Sequence, residues 1–192
     1  MYMKKIFFPI FLFFSLHLFS QNAVPDTVFV FNSNGLTDFV VKKVPNMTKE
    51  ELYRRTLEWI TTNTKKPKDV IVSQTEGDKI KFEGTKSCYF ATNYGGVKRC
   101  TDGKYQFEIT FKDGKYKLDI LSMSNLVSST TYVQGGWHAM PLTKSEDLFD
   151  DKGKIKLYSL DNYKAIAELC NTLNNNLYNF IKTTVAPTSG EW

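Results

Sequence analysis

MTKEELYRRTLEWITTN, residues 47–63, carries a helix start, an apolar stripe and a stop within seventeen positions. Thr48 and Glu51 stand at capping-box spacing: the Thr48 hydroxyl accepts from the Glu51 N–H, and the Glu51 carboxylate reaches back to the Thr48 N–H. Glu50 and Glu51 also sit where the positive end of the helix dipole favours them. Leu52, Tyr53, Thr56, Leu57, Trp59 and Ile60 recur at three- and four-residue spacing and predict one buried face, with Arg54, Arg55, Glu58 and Thr61 mostly on the wet side. Pro67 ends the helix, because the residue before a proline avoids helical geometry. Asn46-Met47-Thr48 also spells a glycosylation sequon, but the cap already accounts for the threonine.

Outward from this helix the pattern changes to period two. Upstream, Thr27 to Phe31 and Leu36 to Val44 are β-type runs around the turn Asn32-Ser33-Asn34-Gly35. Downstream, Asp69 to Ser73 and Lys79 to Glu83 flank Glu76-Gly77-Asp78, while Tyr105 to Phe111 and Lys115 to Leu121 flank Lys112-Asp113-Gly114, so both pairs read as hairpins. Ile80, Phe82, Tyr105, Phe107, Ile109, Phe111, Tyr116, Leu118 and Ile120 share one side, which meets the helices. Lys79, Lys81, Glu83, Gln106, Glu108, Thr110, Lys117 and Asp119 share the other, a mixture of signs suited to water.

A second stripe, Tyr163, Ile166, Ala167, Cys170, Leu173, Leu177 and Ile181, predicts a helix from about Asn162 to Lys182 with Asp161 as its N-cap. The order is strands, helix, hairpins, helix. It predicts an α+β domain with two helices on one face of a mostly antiparallel sheet.

The ends bound the location. Lys4-Lys5, an apolar run from Ile6 to Phe19 and the small residue Ser20 predict a signal peptide over residues 1–20, followed by a single domain over 21–183 and a flexible tail over 184–192. The run is shorter than the roughly 20 residues of a spanning helix, no cysteine follows it for lipid attachment, and no other stretch is apolar enough to span, so no membrane span is expected in the mature chain. Losing Lys4 and Lys5 lowers the net charge from +5 to +3, a weak bias. Export to the periplasm or cell envelope of a Gram-negative bacterium permits disulfides, and Cys88 with Cys100 is the natural pair, two free thiols being the alternative. Cys170 lies on the apolar stripe as a small hydrophobe.

The runs Gly35 to Ile60 and Tyr105 to Ile120, the step Gly135-Gly136-Trp137 and the end Gly190-Glu191-Trp192 resemble a family of exported Bacteroidetes proteins, described as a domain of unknown function with a TATA-binding-protein-like (TBP-like) fold. The resemblance implies a curved antiparallel sheet backed by two helices. It implies no activity, and the fold name does not carry DNA binding with it.

Chemistry is constrained by what is scarce. His138 is the single histidine beyond the signal segment, so no two-histidine zinc site forms, and no nucleophile motif stands beside it for a Ser-His-Asp or Cys-His arrangement. Asp147, Asp150 and Asp151 miss the calcium-loop spacing and read instead as a turn before Ile155, with Thr143 capping a short helical piece around Glu146. Gly95-Gly96 beside Lys98 and Arg99 lacks the strand-glycine-helix context of a phosphate loop. Small net charge and a mixed sheet face speak against nucleic acid. No metal, cofactor or catalytic residue is expected.

One place remains for a site. Ser122 to Lys154 is long for a connection and holds Tyr132, Gly135, Gly136, Trp137 and His138. Exposed, Tyr132 and Trp137 form an aromatic platform for a small ligand, a glycan or a partner protein; buried, Trp137 plugs the open end of the core. The expectation is a non-enzymatic binding module of the envelope whose ligand or partner the sequence does not name, with Tyr132, Trp137 and His138 as contact residues. A structural or assembly role is the alternative, and a carboxylate-based enzyme comes third.

Overall fold

A computed structural model describes residues 28–94, 97–143 and 148–183. The segment 1–20, the Gly95-Gly96 step, the piece around Glu146 and the tail 184–192 lie outside the described residues.

The helix read from residues 47–63 is α1 (Lys49–Asn63), with Thr48 as its cap: Thr48 Oγ1 accepts from Glu51 N at 3.2 Å. The reciprocal half of the capping box gives way to a stronger use of Glu51. Its carboxylate takes Arg54 (Nη2 to Oε1, 2.7 Å) and Arg55 (Nε to Oε1, 2.6 Å), since two guanidinium donors outweigh one neutral N–H. Arg55 is therefore not on the wet side; it is 5% exposed and belongs to the buried face with Leu52, Tyr53, Thr56, Trp59 and Ile60. Pro67 lies beyond the helix end as the first residue of a single further turn, α2 (Pro67–Val70), where its missing N–H costs nothing.

The sheet is more continuous than its hydrophobic alternation. Two short pieces, β1 (Phe31–Asn32) and β2 (Gly35–Leu36), make the first hairpin around the expected turn. The other strands are β3 (Phe39–Lys43), β4 (Ile71–Thr75), β5 (Lys79–Tyr94), β6 (Val97–Lys112), β7 (Lys115–Val127) and β8 (Gly136–Ala139). They form one antiparallel sheet in the order β3-β7-β6-β5-β4, with β8 pairing β7 beyond β3. β5 and β6 pair across nearly their whole length, and a disulfide between Cys88 and Cys100 joins them, the Cα atoms 4.8 Å apart.

β7 runs six residues past the expected end. Gln106 pairs with Ser122 but Phe107 with Ile120, so Leu121 is an extra residue that resets the alternation, and Met123 faces the core. The stretch 122–154 thus holds the last residues of β7 and, as β8, Gly136–Ala139.

The last helix, α3 (Leu157–Thr183), starts five residues before Asn162, so Asp161 lies inside it and is not its N-cap. Its stripe packs as read, and α1 and α3 lie together over the sheet face carrying Val40, Ile80, Phe82, Phe107, Ile109, Phe111, Tyr116, Leu118 and Ile120. Asn174, 1% exposed, accepts at Oδ1 from the Tyr116 hydroxyl at 2.8 Å, tying α3 to the start of β7. Cys170 is buried, and burial pushes its thiol up to about 12.

The opposite sheet face carries mixed charge with local order. Glu108 and Asp119 are cross-strand partners; Lys79 Nζ lies 3.7 Å from Glu108, and Lys117 Nζ lies 2.9 Å from Asp119. At the sheet's end Lys43, Lys115 and Lys112 stand directly opposite one another on β3, β7 and β6, all exposed.

Candidate functional site

The residues singled out for contact lie along β8 and the connection 128–135 that leads into it. The connection is held by its own hydroxyls. Thr130 Oγ1 accepts from Val133 N at 3.0 Å, Thr130 N donates to Val133 O at 2.9 Å, and Ser129 Oγ accepts from Gly135 N at 3.0 Å. A Cβ on Gly135 would come 2.6 Å from Ser129 Oγ, and Gly136 has φ +137°, so the two glycines let the chain turn back tightly enough to pair with β7.

Once β8 is in register, Trp137 stands opposite Leu126, and His138 opposite Asn125. Neighbours in a strand point to opposite faces, so Trp137 and His138 do not share a site. Trp137 shares the wet face with Leu126; the two are 43% and 38% exposed, and Trp137 is outside the core cluster, which disposes of the plug reading. Tyr132 is 94% exposed at the top of the connection, beside Val133 at 41%. His138 is exposed on the other face, its Nε2–H donating to the Gln134 carbonyl at 2.9 Å, an anchor for the connection. The geometry thus joins Trp137 to Leu126, leaves Tyr132 and Val133 exposed on the connection that leads into β8, and turns His138 to the other face. Leu126 was hidden from sequence reasoning because the bulge at Leu121 breaks the alternation that would have assigned its face.

Of the other candidate residues, Asp150 and Asp151 lie in a turn. Asp150 Oδ1 accepts from Lys152 N at 3.0 Å and from Lys154 N at 2.7 Å, which makes an Asx turn there. Among the described residues no three His, Cys, Asp or Glu side chains gather in a metal-binding arrangement. The Glu108–Asp119 pair lies on the open sheet face between its lysines.

The strands β3 to β6 and all of β7 but Val127, with α1 between β3 and β4, fall inside residues 39–126, and this stretch matches the model of a family described as a domain of unknown function (DUF4468) with TBP-like fold. Residues 39–126, a little under half of the chain, are similar to that family. Two solved structures share the architecture. A DUF4468 family protein from Bacteroides ovatus is 13% identical with a TM-score of 0.58, aligning over 86% of this chain and 94% of its own. A TBP-like protein from Parabacteroides distasonis is 14% identical with a TM-score of 0.52, over 82% of this chain and 99% of its own. At such identities the likeness is one of fold alone. No curated protein matches the chain. The DUF4468 match ends at Leu126, within β7, whereas Tyr132 and Trp137 follow it.

Proposed function

We propose that the protein is exported to the cell envelope and acts there as a non-enzymatic binding protein whose contact surface is the outward side of β8 with the 128–135 connection. The observation that carries this reading is the Trp137–Leu126 cross-strand pair, exposed on the wet sheet face, with Tyr132 and Val133 also exposed on the connection that leads into β8. Side chains of this size are costly to leave in water and are enriched where proteins meet partners. Exposed large side chains of this kind suit a partner protein better than an enclosed small molecule. Export is supported by the basic, apolar, small-residue order of residues 1–20 and by the Cys88–Cys100 bond, which an oxidising compartment sustains. The absence of an enzymatic role is supported by His138, whose ring is occupied with a backbone carbonyl.

Native and denaturing mass spectra of the chain, expressed whole in a Gram-negative bacterium and purified gently, test this. A chain shortened by residues 1–20 that carries a second protein supports the proposal. A full-length cytosolic chain that travels alone contradicts it. A second reading, self-assembly, is favoured by β8, which pairs with β7 alone among the described strands and leaves a short open edge. It predicts homo-oligomers in the same spectra.

A further inference from the structure

A different place, on the helix side of the sheet, has the makings of a small-molecule site. Where α1 ends, a cleft of about 520 Å³ opens between the sheet, α2 and α3, within the roughly 300–1,000 Å³ range of small-molecule sites. Its floor is aromatic. Trp59 meets Phe82 edge-on at 6.1 Å, Phe82 stacks on Phe107 at 5.7 Å, and Tyr105 tilts against Phe107 at 5.5 Å. Val70 and Leu173 form apolar flanks.

The cleft exists because of a glycine. Gly84 pairs directly with Tyr105, and a Cβ on Gly84 would come 2.5 Å from Tyr105 Cζ, so the ring lies across bare backbone. The Tyr105 hydroxyl has no hydrogen-bond partner among the described residues. Burial pushes the phenol above its ordinary range, so it is a protonated donor. Charge is kept to the rim: Lys65 is exposed, and Glu83 is engaged by Lys104 at 3.0 Å. Asn63 Nδ2 and Thr64 Oγ1 donate to the Trp59 and Ile60 carbonyls, closing off the helix end.

We infer that this cleft binds a neutral, flat, ring-bearing small molecule that accepts a hydrogen bond from the Tyr105 hydroxyl. Aromatic walls select a flat apolar body, the uncharged interior rejects ions, and Tyr105 supplies an orienting polar contact. The site is separate from the Trp137 surface and does not depend on it.

Quinoline and naphthalene, nearly equal in shape but differing in one acceptor nitrogen, serve as probes in amide and indole NMR titrations of the chain spanning residues 21–192. The expected result is saturable shifts at the Trp59 indole and the Gly84 amide, with quinoline binding at least threefold tighter. In Tyr105→Phe that preference disappears while naphthalene binding stays. Leu173→Phe, which narrows the cleft from α3 and leaves Tyr105 in place, weakens both probes at least fivefold and decides the matter should Tyr105→Phe not fold. Shifts that fail to saturate or fall elsewhere, a quinoline preference that survives Tyr105→Phe, or unchanged binding in Leu173→Phe would overturn the inference.

Discussion

Arg55 of α1 donates through Nη1 to the main-chain carbonyl of Ile181 in α3 at 3.1 Å, while its Nε holds Glu51 at 2.6 Å. A residue that periodicity places on the wet face thus ties the two long helices together, its side chain 6% exposed. Arg55→Ala removes the tie, the packed stem and the partner of a buried carbonyl together, and is expected to cost about 3 kcal/mol in urea unfolding. Arg55→Lys recovers only part, because a single ammonium cannot serve two acceptors in that planar geometry.

Glu51 makes the same cluster sensitive to acid. Hydrogen bonds from Arg54 and then Arg55 lower its carboxyl to about 2, well below the ordinary 4.5. A carboxyl depressed in the folded state stabilises above its unfolded pKa and loses that contribution as pH falls through the folded one. Stability is therefore expected to drop between about pH 4.5 and pH 2. Urea midpoints across this range should fall less steeply for Glu51→Gln than for the parent chain.

The Cys88–Cys100 bond closes a loop twelve residues apart in sequence within the β5–β6 hairpin. Replacing both cysteines with serine is expected to cost about 3 kcal/mol by the chain-entropy argument, read as a lower melting temperature. A reducing agent added to the parent chain should reproduce the shift, and should leave the double variant unmoved.

Like charges directly opposite across strands repel, and Lys43, Lys115 and Lys112 form such a row across β3, β7 and β6. Lys115→Glu turns two repulsions into two attractions. A gain of about 0.5–1 kcal/mol is expected at low salt, shrinking as salt screens exposed charges.

Much of the fold was legible because its signals are local. Thr48, the Leu52-to-Ile60 stripe, the Lys112-Asp113-Gly114-Lys115 turn and the alternation from Tyr105 to Ile120 each declare an element without reference to the rest. What was illegible depends on tertiary partners. Arg55 is buried only because a carbonyl of α3 awaits it, and β7 outruns its apparent end because the bulge at Leu121 interrupts the period. α3 starts early at Leu157, ahead of the Asp161 that the sequence offered as a cap. At the candidate site, aromatic content pointed to Tyr132 and Trp137. It took the β7–β8 register to pair Trp137 with Leu126 and to turn His138 to the opposite face.

The binding account is tested most directly by photo-crosslinking in the cells that make the protein. A photoreactive residue is placed at position 132, which is 94% exposed beside Trp137's strand, and for comparison at position 72, where Val72 is 47% exposed on the far edge strand β4. The account predicts a discrete crosslinked species from position 132 and none from position 72. It also predicts loss of that species in Trp137→Ala, with stability changed by no more than about 1 kcal/mol. Equal crosslinking from both positions, none from position 132, or a Trp137→Ala chain that unfolds would contradict it.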